Sequence, residues 1–289
     1  MRAVLLCDLG NSRLKWQLHG PGGGLLEQGA MSSVARTGAG LASDLEEACG
    51  AALTRLNDQG VGCAMALVSV ASTDQTNALL QWGERVTEAP VCRVRSEPKL
   101  LRLTNGYRDP KQLGADRWAA ALGAVQWAEA RLPSAMSVLV VSAGTATVID
   151  GLTRSSQMPG DNTGPNWQFD GGVILPGVGL MRSMLCAATS ALAPLFDAPA
   201  KGLSAAGWPQ DSSAALAHGI GLAQTAPILA LPPADAMVVH GGHAQAWIEH
   251  HAECIERVGG HSLQGPLTTA QHCPDLVFDG IFRVMRQMG

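Results

Sequence analysis

The spacing of hydrophobic and polar positions changes several times along the chain, and each change predicts an element. Residues 3–7 form a short apolar run that leads through a glycine turn into an alternating segment ending at Lys15, which predicts two antiparallel strands. The segment 25–31 predicts a third strand of the same meander. From Leu41 to Leu56, apolar residues recur at spacings of three and four and predict an amphipathic helix.

Helix and strand patterns then alternate. The pattern predicts strands at 63–70 and 91–95, a helix between them at 73–86, a polar loop at 103–110 and a long helix from Gly114 to Arg131. Three meander strands followed by alternating helix and strand predict a mixed α/β sheet.

The opening pattern returns in the second half. Residues 137–141, the turn at 142–147 and residues 148–150 repeat the order strand, glycine turn, strand. This repetition predicts two mixed-sheet α/β units, 1–115 and 116–289, around a central cleft with one phosphate-binding turn on each side. The remaining pattern predicts a hairpin tip at 154–168, a strand at 169–175, helices at 176–192 and 213–229, a strand at 236–239 and a last helix at 274–288.

Composition narrows the class of protein. A chain of 289 residues that is 46% hydrophobic can bury a large core in two domains. Its apolar runs are far shorter than the ~20 residues that span a bilayer, and no signal peptide is evident, so we expect a cytoplasmic protein without membrane contact. The seven cysteines include no C-x-x-C pair, which favours reduced thiols, and the histidines between 240 and 272 match no zinc spacing. A net charge of −4 argues against nucleic acid as a partner.

The first turn has a chemical interpretation. Gly10 lets the backbone approach a ligand, Asn11 and Ser12 offer donors to phosphate oxygens, and Asp8 could hold Mg²⁺ together with water and phosphate. The alternative is an ordinary β-hairpin with an Asn-containing turn. The segment lacks the further glycines and the immediately following helix of a P-loop or dinucleotide-binding motif.

Several motifs in order resemble one family over nearly the whole chain. They are DLGNSRLKW at 8–16, NGYRDP at 105–110, GADRWAA at 114–120, AGTATVID at 143–150, GGVILPGVGLMRSML at 171–185 with Thr189 following, and PDLVFDGI at 274–281. The chain resembles the type III pantothenate kinases of the acetate and sugar kinase/actin-like ATPase superfamily. The resemblance implies a duplicated ribonuclease H-like fold, a homodimer whose interface lies near the pantothenate pocket, and ATP-dependent phosphorylation of pantothenate in the first step of coenzyme A synthesis.

The same resemblance implies roles for individual residues. Asp116 is the candidate base that accepts the hydroxyl proton, and Arg117 is the candidate partner of the substrate carboxylate. The residues expected to bind ATP are Asp8, Leu9, Gly10, Asn11, Ser12, Arg13, Leu14, Lys15 and Thr145. The residues expected to bind substrate are Tyr107, Gly114, Ala115, Asp116, Arg117 and Thr189. Without the resemblance, Asp116 and Arg117 would be read as a helix cap, Lys15 as an exposed strand residue, Tyr107 as a packing residue and Thr189 as a helix hydroxyl.

Two positions depart from the family pattern. Ser142 stands where the family has an aspartate linked to a monovalent cation, so we expect a K⁺ or NH₄⁺ site there to be weakened or lost. His243 follows the glycines where the family more often has an acidic residue. The missing carboxylate at Ser142 keeps open a regulatory or accessory protein with weak or no kinase activity, and a kinase for another small alcohol on the same fold is a second alternative.

Overall fold

The computed structural model describes residues 2–155, 166–190, 192–195, 208–257 and 270–288. The strands are β1 (Ala3–Leu9), β2 (Arg13–His19), β3 (Leu25–Ser32), β4 (Cys63–Ser69), β5 (Cys92–Val94), β6 (Lys99–Leu100), β7 (Leu103–Asn105), β8 (Ser137–Ala143), β9 (Ala146–Arg154), β10 (Trp167–Pro176), β11 (Ala236–His240) and β12 (Ala270–His272). The helices are α1 (Gly38–Asp58), α2 (Thr73–Thr87), α3 (Ala115–Arg131), α4 (Val178–Ala188), α5 (Ser212–Thr225), α6 (Ala244–Arg257) and α7 (Leu276–Met288).

The first unit contains a mixed five-stranded sheet in the order β3-β2-β1-β4-β5. Its central strand β1 is antiparallel to β2 and parallel to β4. Alternate β1 residues, including Leu5 and Leu9, pack with Leu41 and Leu45 of α1 and Trp82 of α2 into one buried core. Because successive side chains of a strand point to opposite faces, this core occupies one face of β1 and leaves the position of Asp8 on the other.

The second unit repeats this arrangement. Its strands are hydrogen-bonded in the order β10-β9-β8-β11-β12, and the central strand β8 is antiparallel to β9 and parallel to β11. Its core combines Leu139 and Val141 of β8, Ile149 of β9 and Trp247 of α6. The predicted mixed α/β architecture and its internal repetition are therefore confirmed.

The division between the units differs from the expected 1–115 and 116–289. The chain separates into residues 1–127 with 276–289, and residues 128–275. Most of α3 thus belongs with the first sheet, and α7 returns to it from the end of the chain. The reason is close helix packing, because the backbone of Leu276 lies against Gly123 and the backbone of Ala119 lies against Gly280. Contact between segments so distant in sequence leaves no periodic signal in either one.

Several elements were not expected from the sequence. The loop predicted at 103–110 begins with a strand, since β6 and β7 pair as a short antiparallel hairpin. Helix α6 and strand β12 were not predicted, although α6 buries Trp247, His251 and Cys254 at helical spacing. The helix predicted to end at 229 stops at Thr225 and continues as a 3₁₀ turn, because Pro227 has no N–H to extend the α-helical ladder.

The predicted hairpin at 154–168 is described only at its base. Arg154 and Trp167 are paired in the β9–β10 register, and Ser155 N–H donates to the Asn166 carbonyl at 2.8 Å. The intervening part of that prediction, 156–165, lies outside the described residues. No helix within the described ranges is long and apolar enough to cross a membrane.

The α3–α7 contact predicts a sharp difference between two helical glycines. A Cβ on Gly280 would overlap the Ala119 backbone, whereas a Cβ on Gly219 in α5 would meet no atom within 4 Å. We expect Gly280→Ala to lower the free energy of unfolding by about 2 kcal/mol, because the two helices must separate. Gly219→Ala is the matched control and should be neutral or raise it by about 0.5–1 kcal/mol. Urea unfolding of both variants checks this, and equal effects would contradict the packing account.

Candidate active site

The first glycine turn is closed by its own backbone and held from β3. Gly10 N–H donates to the Arg13 carbonyl at 2.9 Å, and the Ser33 hydroxyl donates to the Gly10 carbonyl at 2.9 Å. Ser33 N–H donates to the Ser12 carbonyl at 3.1 Å. These bonds satisfy carbonyl groups of the turn, whereas the side chain of Asn11 at its tip is exposed. The turn is therefore a preorganised loop with an accessible tip.

Two of the residues expected to bind ATP face inward. Leu9 and Leu14 flank the turn as a register pair, and both side chains are fully buried in the first core. Their side chains hold the hairpin in place, so any contact that they make with a ligand would come from the main chain.

Asp8 is a buried carboxylate beside this turn. It is paired with Lys15 across the β1–β2 ladder, and the Lys15 Nζ lies 4.0 Å from the Asp8 Oδ2. Burial raises the pKa of Asp8 to about 6; the charge of Lys15 opposes this shift and that of Asp116 adds to it. The charge of Asp116 therefore acts on Asp8, and both predicted carboxylates belong to the first unit.

Asp116 lies in the first turn of α3. Arg117 N–H donates to its Oδ1 at 2.8 Å. Burial raises the pKa of Asp116, whereas this hydrogen bond and the charge of Arg117 lower it. A Cβ on Gly114 would come within 2.6 Å of the same Oδ1 atom, so a glycine there gives the carboxylate its space. The start of α3 thus carries a partly desolvated carboxylate, and the raised pKa of such a group suits it to act as a general base.

Arg117 is held by the aromatic residue predicted for the substrate pocket. Its Nη1 donates to the Tyr107 hydroxyl at 3.0 Å, and its Cζ lies 5.6 Å from the centre of the Tyr107 ring. Both residues belong to the first unit. The structure therefore joins two predicted substrate residues that lie on different elements.

The second turn copies the backbone of the first with one residue fewer. Gly144 N–H donates to the Ala146 carbonyl at 3.0 Å, and Ala143 and Thr147 form the closing register pair. Thr145, predicted to bind ATP, is exposed at the turn. The turn is supported from α4, because the N–H of its N-cap residue Gly177 donates to the Thr145 carbonyl at 2.9 Å.

The charge pair of the first turn has no counterpart in the second. By the strand register, Ser142 occupies the position of Asp8, and the residue opposite it is Val148 where Asp8 faces Lys15. The second hairpin thus has an uncharged residue in place of both the carboxylate of Asp8 and the ammonium group of Lys15. Ser142 can exchange hydrogen bonds but carries no charge for a cation.

The other two predicted positions in this unit lie at different ends of their elements. His243 follows the glycine turn after β11, and its N–H donates to the Ala143 carbonyl at 3.0 Å, beside the second turn. Thr189 is the exposed C-cap of α4. Since α4 begins at the second turn and advances about 1.5 Å per residue, Thr189 is roughly 16 Å from it. A threonine so placed is separate from the phosphate turn.

Three residues support the site although the sequence analysis gave none of them a role. Ser33 closes the first turn, Gly177 supports the second, and Asn105 is buried beneath the loop that carries Tyr107. Only the last had a signal, because an Asn two residues before Tyr107 is typical of a side chain that caps its own loop. The bonds made by Ser33 join segments remote in sequence.

Comparison with known proteins places the chain in a family. A family model described as "Type III pantothenate kinase" matches residues 4–231. The type III pantothenate kinase of Halorhodospira halophila is 30% identical over 289 aligned residues, which cover 98% of this chain and 97% of that protein. The type III pantothenate kinase of Cupriavidus pinatubonensis is 32% identical over 237 residues, with 78% and 80% covered.

A solved structure shares the fold at low identity. The crystal structure of a putative 2-dehydro-3-deoxygalactonokinase protein from Sinorhizobium meliloti aligns with a TM-score of 0.54 and 14% identity, covering 99% of this chain and 96% of that one. The predicted duplicated ribonuclease H-like, actin-like ATPase fold is confirmed by this likeness and by the repeated strand order. Because the family model spans most of the chain and full-length relatives reach 30% identity, the chain belongs to the type III pantothenate kinase family.

Proposed function

We propose that this protein transfers the γ-phosphoryl group of ATP to the primary hydroxyl of pantothenate, giving 4′-phosphopantothenate for coenzyme A synthesis. Family membership supports the substrate class. The single observation that carries the mechanism is the placement of two carboxylates in the first unit, the buried Asp8 beside the glycine turn and the half-buried Asp116 at the start of α3. Phosphoryl transfer to an alcohol needs positioning, charge neutralisation and a proton acceptor, and two carboxylates can divide the last two tasks.

Asp116 is assigned as the proton acceptor. Its raised pKa makes the carboxylate a better base than an exposed aspartate, and its place at the start of α3 fixes its direction. As the hydroxyl oxygen attacks the γ-phosphorus, its proton passes to the Asp116 carboxylate and the bond to the ADP leaving oxygen breaks. Arg117, on the next residue, offers a guanidinium to the carboxylate of pantothenate. Tyr107 restrains that guanidinium through its hydroxyl and its ring.

Asp8 is assigned as a protein ligand of Mg²⁺. Mg²⁺ in kinases is commonly held by one or two protein carboxylates together with phosphates and water, so a single buried carboxylate beside a phosphate turn fits its donor set. The cation supplies charge neutralisation on the phosphates of ATP. The main-chain groups of residues 8–15 and the hydroxyl of Thr145 are assigned to phosphate oxygens, each within its own unit.

An apolar surface in the second unit supports the expected homodimer. Leu180 and Met184, one turn apart on α4, are 42% and 61% exposed, and Ile174 on β10 is 63% exposed. Exposed large apolar side chains on two consecutive elements are typical of a surface covered by another protein chain. We propose that a second copy of this chain covers it.

Removing the proposed base tests the assignment of Asp116. Asp116→Asn keeps the shape of the side chain but not its basicity, so we expect ADP formation dependent on pantothenate to fall about 10²–10⁴-fold in kcat. Asp58→Asn on the exposed end of α1 is the matched control and should leave turnover unchanged. Full turnover in Asp116→Asn would remove that residue as the base. Turnover with another small alcohol but not pantothenate would favour the alternative kinase.

The burial of Asp8 predicts that replacing its carboxylate raises the stability of the protein and lowers its activity. The pKa of the Asp8 carboxyl rises from 3.8 to about 6 on folding, so between these pH values the carboxyl is ionised in the unfolded chain but still protonated in the folded one. The free energy of unfolding therefore falls as the pH rises through this range. We expect Asp8→Asn to be more stable than the parent protein by up to about 3 kcal/mol above pH 7, with the difference vanishing near pH 4. The same variant should lose kinase activity. Urea unfolding at pH 4 and pH 7.5 measures the effect, and a variant less stable than the parent at pH 7.5 would contradict it.

The second turn predicts how the protein responds to monovalent cations. Ser142 and Val148 place no charge where the first hairpin has Asp8 and Lys15, so we expect the parent protein to respond little to K⁺ or NH₄⁺. Ser142→Asp restores a carboxylate and should make turnover rise several-fold with K⁺, whereas the neutral isostere Ser142→Asn should not. Steady-state rates in K⁺, NH₄⁺ and a large organic cation distinguish the two. If the parent binds ATP but shows no turnover in any cation, an accessory role is favoured.

A further inference from the structure

Asn105 ties together the loop that carries Tyr107. Its side chain is 8% exposed, and its Oδ1 accepts from the Tyr107 N–H at 3.0 Å. Its Nδ2 donates to the Ser96 hydroxyl at 2.9 Å and to the Pro110 carbonyl at 3.4 Å. One buried amide thus bonds to the start and the end of the loop and to the segment before it.

The backbone of Asn105 is fixed as well. Its N–H donates to the Pro98 carbonyl at 2.9 Å, and it ends strand β7. Replacing a buried side-chain amide whose oxygen and nitrogen are both hydrogen-bonded is costly, because its partners lose their hydrogen bonds at a place that water does not reach. The loop geometry therefore depends on this one side chain.

The same geometry reaches Arg117 through Tyr107. The tyrosine hydroxyl accepts from the Arg117 Nη1 at 3.0 Å, and its ring lies 5.6 Å from the guanidinium carbon. An arginine side chain has many rotamers, so a fixed hydroxyl and ring together reduce the conformations that must be lost on binding a carboxylate. If the Tyr107 N–H loses its hydrogen bond to Asn105, the tyrosine hydroxyl and ring are free to move, and both restrain the guanidinium.

We propose that Asn105 is a positioning residue for substrate specificity: through Tyr107 it preorganises Arg117 to bind the carboxylate of the substrate. This proposal rests on the proposed function for the role of Arg117. It assigns no contact between Asn105 and substrate, and its effect is confined to the affinity for a carboxylate-bearing alcohol rather than for ATP.

A double-mutant cycle tests the coupling. Asn105→Ala should raise KM for pantothenate about tenfold while KM for ATP changes less than about twofold, since only the carboxylate partner is displaced. In an Arg117→Gln background, adding Asn105→Ala should change KM for pantothenate less than about twofold, because the group being positioned is gone. Tyr107→Phe keeps the ring and removes the hydroxyl, and should raise the same KM in the same direction. Asn77→Ala on the exposed side of α2 is the matched control.

A second measurement separates this proposal from the proposed function. The Nε–Hε signal of Arg117, assigned by its loss in Arg117→Gln, should show a restrained side chain by ¹⁵N relaxation in the parent protein and a mobile one in Asn105→Ala and Tyr107→Phe. Additive KM effects in the cycle, or an Arg117 signal equally restrained in all variants, would overturn the positioning role. If the parent protein does not phosphorylate pantothenate, the proposed function fails, and the relaxation result still decides the role of Asn105. If Asn105→Ala does not fold, Asn105→Ser, which also removes the Oδ1 and Nδ2 atoms but keeps a small polar side chain, carries both measurements with the same expected results.

Discussion

The burial of the Asp8 carboxylate is the constraint on which the first unit depends. The residue lies near the end of the central strand, on the face opposite the leucine-rich core, where burial penalises its charge. The chain offsets that penalty only in part, with Lys15 directly across the hairpin at 4.0 Å. A buried charge with a partner at that distance is a cost in stability, and such costs are concentrated at functional sites. The closed turn and most of α3 belong to the same unit, and the charge of Asp116 on α3 adds to the rise of the Asp8 pKa.

The two units share their strand order and turn geometry but differ in the charged residues of their first hairpins. Both units keep the same strand order and the same carbonyl-closed glycine turn. They differ in charge, since Asp8 and Lys15 in the first hairpin correspond to Ser142 and Val148 in the second. Loss of both members together is physically reasonable, because a lysine left alone beside an uncharged residue would be an uncompensated charge at the turn. The second hairpin therefore carries no charged side chain at these two register positions.

Much of the fold was predictable because its elements have local signals. The meander, α1, the second hairpin and α3 follow from residues spaced at two, three or four, and the repeated strand-turn-strand pattern showed the duplication. The misses have physical causes. Helix α6 had the spacing of Trp247 and His251 but begins directly after a glycine turn, and Pro227 ended α5 early. The boundary between units depends on α7 packing against the glycines of α3, a contact between the middle and the end of the chain.

The sequence by itself determined the identity of the candidate groups, because Asp8, Asp116, Arg117 and Tyr107 stand in ordered motifs whose residue types suit phosphoryl transfer. It also showed that Ser142 lacks a carboxylate. Only the tertiary structure decided which of these groups interact and in what state. Long-range packing buries Asp8 and couples it to Asp116, and the amide of Asn105 holds Tyr107 against Arg117. Burial and coupling arise from segments far apart in the chain, and for that reason no local pattern encodes them.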